Sequence, residues 1–167
     1  LEVAEKLCDK VAIIRRGKLV RSGTMDEVRG DDSLEEVFLE LEEGLADRET
    51  FCKKLCEHTG KEITEEMAFY AWKGFIVDIP QYKLDYILNL RNNYKLYLLS
   101  NTNPFILDWA RTPEFTEAGR PITAYFDKLY ASYEIGITKP NREIFEYMLK
   151  DGEMIPSETL FIDDGVR

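Results

Sequence analysis

Leu96-Tyr97-Leu98-Leu99-Ser100-Asn101-Thr102-Asn103 is the stretch that decides the fold. Four consecutive apolar residues, with no polar alternation, predict a strand buried on both faces, as strands of a parallel sheet are. The strand runs straight into a hydroxyl and two short polar side chains. In an open α/β sheet, ligands bind beyond the carboxyl ends of the strands. Ser100-Asn101-Thr102 therefore sits where a ligand would. Amides at a strand-to-helix turn point outward and, with the Ser100 hydroxyl, suit a phosphate. Taken alone, Ser100 is equally well explained as a turn or helix-capping residue.

Working outward, a helix is expected after Pro104, then a loop rich in Pro and Gly, then a short strand around Leu129 to Ala131. Pro140 is expected at the first position of a helix bearing Ile144, Phe145, Met148 and Leu149. Lys139, just before it, could neutralise a phosphoryl oxygen and a neighbouring carboxylate, or be an ordinary solvated lysine. Leu160-Phe161-Ile162 reads as a second apolar strand ending in Asp163-Asp164. Adjacent carboxylates there suit Mg²⁺, a hard cation that prefers oxygen ligands, although aspartates are also common turn residues. Strands alternating with helices predict an α/β fold with a parallel sheet.

Toward the N-terminus, helices dominate from about residue 44 to 75. One spans Glu49 to His58 and is ended by Gly60. Thr64 caps the next, whose apolar face is expected to carry Met67, Phe69, Ala71 and Trp72. Pro80 opens a third, with Leu84, Ile87 and Leu88 at helical spacing. Before residue 44 the reading is a short helix over 2–9, a hairpin of Val11–Ile14 and Lys18–Arg21 around Arg16-Gly17, and capping boxes at Thr24/Glu27 and Ser33/Glu36.

A net charge of −10, with 32 acidic against 22 basic residues, argues against nucleic acid and anionic membranes as partners. No apolar run approaches the ~18 residues of a spanning helix, and the acidic start Leu1-Glu2-Val3-Ala4-Glu5 is no signal peptide. Three cysteines are read as a reduced, cytoplasmic compartment. Cys52, Cys56 and His58 invite a zinc reading, but no fourth ligand lies near in sequence; buried thiols on an amphipathic helix are expected instead.

Leu98-Leu99-Ser100-Asn101-Thr102-Asn103, Gly136-Ile137-Thr138-Lys139-Pro140 with Ile144-Phe145, and Leu160-Phe161-Ile162-Asp163-Asp164 together resemble motifs two, three and four of the haloacid dehalogenase superfamily. The similarity covers roughly Phe38 to Arg167. It is greatest to the phosphatase branch with a small helical cap, which includes glucose-1-phosphate phosphatases. The resemblance implies a Rossmann-like parallel sheet and a Mg²⁺-dependent phosphomonoester hydrolase acting on a small, sugar-phosphate-like metabolite. It implies that Ser100 and the Asn101 amide bind the phosphoryl group and that Lys139 stabilises its charge, which makes Ser100 and Lys139 the catalytic candidates. Asp164, with Asp163, would hold Mg²⁺. Residues 44–80 would form the cap and 81–167 an incomplete core.

That family's first motif is a strand followed by Asp-x-Asp, whose first aspartate attacks phosphorus. No two aspartates in this chain are separated by one residue. The expectation is therefore a crippled enzyme, or a phosphate- and metal-binding module without turnover. Residues 1–43 resemble something else. Glu5 to Ile14, Gly17-Lys18-Leu19-Val20, Ser22-Gly23-Thr24 and Ser33 to Leu41 look like the end of an ABC transporter ATPase domain. No Gly-x-x-x-x-Gly-Lys is present, so ATP binding is not expected. A third reading is thus a truncated chimera with no activity of its own. A sheet lacking its central first strand would expose edges. Either the hairpin at 11–21 fills that place or chains self-associate.

Overall fold

The computed structural model describes the backbone of residues 11–15 and 18–23, and residues 34–76 and 79–163 with their side chains. The expected helix over 2–9, the capping residues Thr24 and Ser33, and Asp164 lie outside the described residues. The chain divides into two compact units, Leu1–Phe38 and Leu39–Arg167. In the first, β1 (Val11–Arg15) and β2 (Lys18–Gly23) form the expected antiparallel hairpin, with a register shift between Ile13 and Ile14.

Helix α1 spans Leu34–Glu42. The larger unit continues with α2 (Arg48–Thr59), α3 (Glu65–Lys73) and α4 (Gln81–Leu90). Next come β3 (Tyr97–Ser100), α5 (Pro104–Ala110), β4 (Lys128–Ala131), the single turn α6 (Ser132–Ile135) and α7 (Arg142–Asp151). The helix ends follow local chemistry. Asp47 accepts from the Thr50 N–H at the start of α2, and Gly60 ends that helix in the left-handed conformation, φ 65°, a region that costs glycine nothing. Thr64 caps α3 as expected. On α3 it is Ala68 that is buried, whereas Met67 and Ala71 face solvent, so the inward stripe is Ala68, Phe69 and Trp72, shifted from the one expected.

β3 and β4 run parallel, with Leu98 opposite Leu129 and Ser100 opposite Ala131. This is the expected α/β arrangement, though the parallel sheet has two strands among the described residues. With one neighbour among the described residues, β3 buries Leu99 while Tyr97 and Leu98 stay half-exposed, in contrast to the expected burial on both faces. Leu160 to Ile162 is likewise not a strand. Leu160 and Ile162 are 82% and 83% exposed, because an apolar run is buried only where another strand or helix lies against it.

Two packed regions hold the unit together. Leu99 and Tyr130 of the sheet meet Ile144 and Met148 of α7. On the helical side, Phe51 of α2 packs against Trp72 of α3 and Phe105 of α5, with ring centroids 6.5 and 5.9 Å apart. α7 begins at Arg142, not at Pro140, because the Asn141 side chain caps it by accepting from the Glu143 N–H. Gly44, at φ 70°, lies so close to the Tyr133 carbonyl that a Cβ there would sit 2.1 Å from its oxygen.

Asp127 sets the entry to both strands. Its N–H donates to the Leu96 carbonyl at 2.7 Å, and its carboxylate accepts the Leu96 N–H at 2.7 Å and Arg91 Nη2 at 2.8 Å. The Leu96 N–H, seconded by Arg91, holds the Asp127 carboxyl below the ordinary carboxylate range. A depressed folded-state value means that this stability is present above the unfolded value, about 3.9, and is lost as pH falls through the folded one. Asp127→Asn is expected to lower stability by about 1 kcal/mol at pH 7. Urea melts run from pH 7 to pH 3 should show that gap closing below about pH 4; a pH-independent gap would contradict the assignment.

Candidate functional site

The carboxyl ends of β3 and β4 lie side by side, so the residues that follow them share one rim of the sheet. Ser100 ends β3, and its hydroxyl donates to the Asn101 carbonyl at 3.3 Å. Asn101 reaches across to the loop before α7. Its Nδ2 donates to the Lys139 carbonyl at 2.9 Å, and its Oδ1 accepts the Lys139 N–H at 2.7 Å. Asn103 is buried and caps α5 by accepting from the Ile106 N–H. Main-chain geometry at this turn is therefore determined by side chains, not left to solvent.

Lys139 is half-buried, and its Nζ donates to Asp163 Oδ2 at 2.7 Å. The same ammonium lies 6.0 Å from the centre of the Phe161 ring, which meets Phe145 of α7 edge-on at 5.2 Å. Phe161 thus seats the extended segment that carries Asp163 against α7, although its neighbours Leu160 and Ile162 are exposed. The linker from α1 to α2 also reaches this loop, where the Thr138 hydroxyl donates to Glu43 Oε1 at 3.4 Å. Hydrogen bonds thus link Asn101, Lys139 and Asp163, and Ser100 adjoins them through the Asn101 carbonyl.

Ser132 was not among the candidates. It is fully buried, with its Oγ accepting the Thr102 N–H at 3.1 Å and donating to the Thr102 carbonyl at 3.2 Å. The signal was available: a small polar residue directly after an apolar strand, the same feature that singled out Ser100. Next to it, burial and then the charge of Glu134 push the Tyr133 phenol up to about 12, so it stays protonated at neutral pH and offers no base. Arg111, tied to Glu134 by two hydrogen bonds, completes that flank.

Elsewhere, Cys52 is buried against the helical core, and Cys56 Sγ accepts the Ile63 N–H at 3.2 Å. His58 is exposed. Among the described residues no three His, Cys, Asp or Glu side chains gather as a metal would require. Tyr70 and Phe75 are largely exposed, and Trp72 is half-buried against Phe51. Among the described residues no helix is long and apolar enough to cross a membrane.

The sequence pattern of the haloacid dehalogenase-like hydrolases matches residues 13–167, a span that begins upstream of Phe38. A D-ribitol-5-phosphate phosphatase from Bacteroides thetaiotaomicron is 54% identical over 129 residues, 77% of this chain and 63% of the relative. The chain thus spans somewhat less than two thirds of that curated relative. A HAD-like family hydrolase from Porphyromonas gingivalis is 48% identical with a TM-score of 0.75, over 77% of this chain and 63% of that one. A HAD family enzyme from Bacteroides thetaiotaomicron, solved with magnesium and inorganic phosphate, is 40% identical with a TM-score of 0.72, over 79% and 67%.

Asn101→Ala removes both bonds to the Lys139 main chain. A loss of about 1–3 kcal/mol is expected, the cost of leaving part-buried polar groups unpaired. Urea denaturation at pH 7 checks it; a loss under ~0.5 kcal/mol would show that solvent replaces the clasp.

Proposed function

Because this chain belongs to the haloacid dehalogenase-like hydrolases, we propose that it carries the phosphate-gripping half of a Mg²⁺-dependent phosphomonoester hydrolase. The observation that supports this most is the Lys139–Asp163 ion pair at the rim of the sheet, with the Lys139 main chain clasped by the side chain of Asn101, the residue after Ser100. In this reading the Ser100 hydroxyl and the Asn101 amide bind the phosphoryl group. The Lys139 ammonium balances charge that builds on its oxygens, which a preorganised donor does without reorganising water. Asp163 and Asp164 hold the metal.

The donor chemistry fits Mg²⁺. Asp163 offers a hard carboxylate whose orientation Lys139 fixes. Mg²⁺ is commonly bound by one or two carboxylates, with water and substrate phosphate completing the shell, so a larger protein cage is not required. When bound, the ion supplies Lewis acidity toward the phosphoryl oxygens. The chain's own residues orient the ester and compensate its charge.

Residues 44–80 would act as a helical cap over this rim and 81–167 as the core. The exposed Met67, Tyr70 and Phe75 would give that cap an apolar underside to exclude water. A small sugar- or polyol-phosphate substrate is supported by the relative named for D-ribitol 5-phosphate. No Asp-x-Asp occurs in these 167 residues. That favours binding without efficient turnover by this chain alone, since losing an aspartyl nucleophile costs roughly 10⁴-fold or more in rate.

Titration calorimetry with inorganic phosphate, with and without Mg²⁺, tests the proposal. Phosphate binding is expected to require Mg²⁺ and to weaken about 10- to 100-fold in Lys139→Ala, the worth of a charge-assisted hydrogen bond. In a generic assay with p-nitrophenyl phosphate, turnover by this chain is expected near background. Phosphate affinity indifferent to both Mg²⁺ and Lys139 would overturn the assignment.

A further inference from the structure

We propose that Ser132 is a positioning residue that sets where Lys139 stands relative to Ser100. The inference rests on the phosphate-gripping role proposed for that pair. Ser132 and Lys139 are the two ends of one segment, and each end is fastened to the same turn. At one end the Ser132 hydroxyl bonds to the N–H and the carbonyl of Thr102 (3.1 and 3.2 Å). At the other, the Asn101 side chain bonds to the N–H and the carbonyl of Lys139 (2.7 and 2.9 Å). Adjacent residues of the turn thus hold opposite ends of a segment in which Ser132 is wholly out of solvent, at 0% exposure.

The interior of the segment shortens it to fit. The Ser132 carbonyl accepts the N–H of Gly136 at 2.7 Å and that of Ile137 at 3.3 Å. Gly136 turns back at φ 77°, a conformation that side-chain-bearing residues rarely adopt. Ser132 therefore contributes twice, with its hydroxyl to the turn and its carbonyl to the fold-back that delivers Lys139. Its hydroxyl also contacts both peptide units flanking Thr102, which restricts rotation at the residue between Asn101 and the helix-capping Asn103. One consequence narrows the cradle: the Thr102 amide is already donated to Ser132, which leaves the Ser100 hydroxyl and the Asn101 amide as the ligands from this turn.

A buried serine that only satisfies its own hydrogen bonds would affect stability alone. The two roles separate by amide hydrogen exchange on the whole chain, comparing wild type with Ser132→Ala, and with Ser132→Cys should the alanine variant not fold. Positioning predicts that exchange accelerates about 10-fold or more at Thr102 and at Lys139, over and above any change at the core amides of Leu99 and Ile144. Acceleration confined to Thr102, or equal at all four amides, would overturn the proposal. Mg²⁺-dependent phosphate binding, followed in parallel, should weaken with Ser132→Ala. In a Lys139→Ala background that effect should vanish, because coupled residues are not additive; a fully additive effect would also overturn it. Wild-type protein that fails to bind phosphate would remove the hydrolase reading, and the exchange pattern at Lys139 would then decide the inference by itself.

Discussion

The Asn101 carboxamide is the constraint on which the rest of the site depends. Its nitrogen donates to the Lys139 carbonyl and its oxygen accepts the Lys139 N–H. A carboxamide carries its donor and its acceptor on separate atoms in one plane, so it can bond a peptide N–H and a peptide C=O side by side. Ser100 and Lys139 are 39 positions apart in sequence and do not need to touch. Their alignment comes from the register of β3 on β4, which brings Ser100 level with Ala131, and from this clasp across the gap.

Charge is arranged around that frame in an orderly way. The chain is strongly acidic, yet the rim carries a lysine whose ammonium is held between a carboxylate and an aromatic ring. Phe161 is seated on Phe145, so the Asp163 carboxylate has a packed neighbour even though the segment around it is exposed. A phosphoryl group arriving there would meet one cation already oriented, and the cost of orienting it has been met in folding. The helical side is fixed by aromatic packing of Phe51, Trp72 and Phe105, and by Arg48, which donates to the Pro104 carbonyl at 2.8 Å and pairs with Asp108. Since Pro104 directly follows Asn103, the helices at 48–73 and the turn at 100–103 share a support.

Much of this was legible in residues 96–103, because a buried strand followed by polar turn residues is a local pattern. Gly60 and Thr64 were legible for the same reason: caps act within one turn of helix. What failed depended on partners distant in sequence. Leu160 to Ile162 looked like a strand by composition, but its apolar side chains are exposed and it pairs with no strand among the described residues. Pro140 looked like a helix start, yet Asn141 is the better cap, and the helix begins after it. Ser132 carried the same local mark as Ser100, a small polar residue directly after an apolar strand, but the partner that gives it a role, Thr102, is 30 residues away. The family resemblance supplied what local patterns could not, namely that three short motifs belong to one rim.

The most direct measurement is a crystal structure of the protein grown with Mg²⁺ and inorganic phosphate. The account predicts one phosphate within hydrogen-bonding distance of both Ser100 Oγ and Lys139 Nζ, with the Asp163 carboxylate turned toward the ion beside it. A phosphate bound elsewhere on the chain, with the Lys139–Asp163 pair undisturbed, would contradict it.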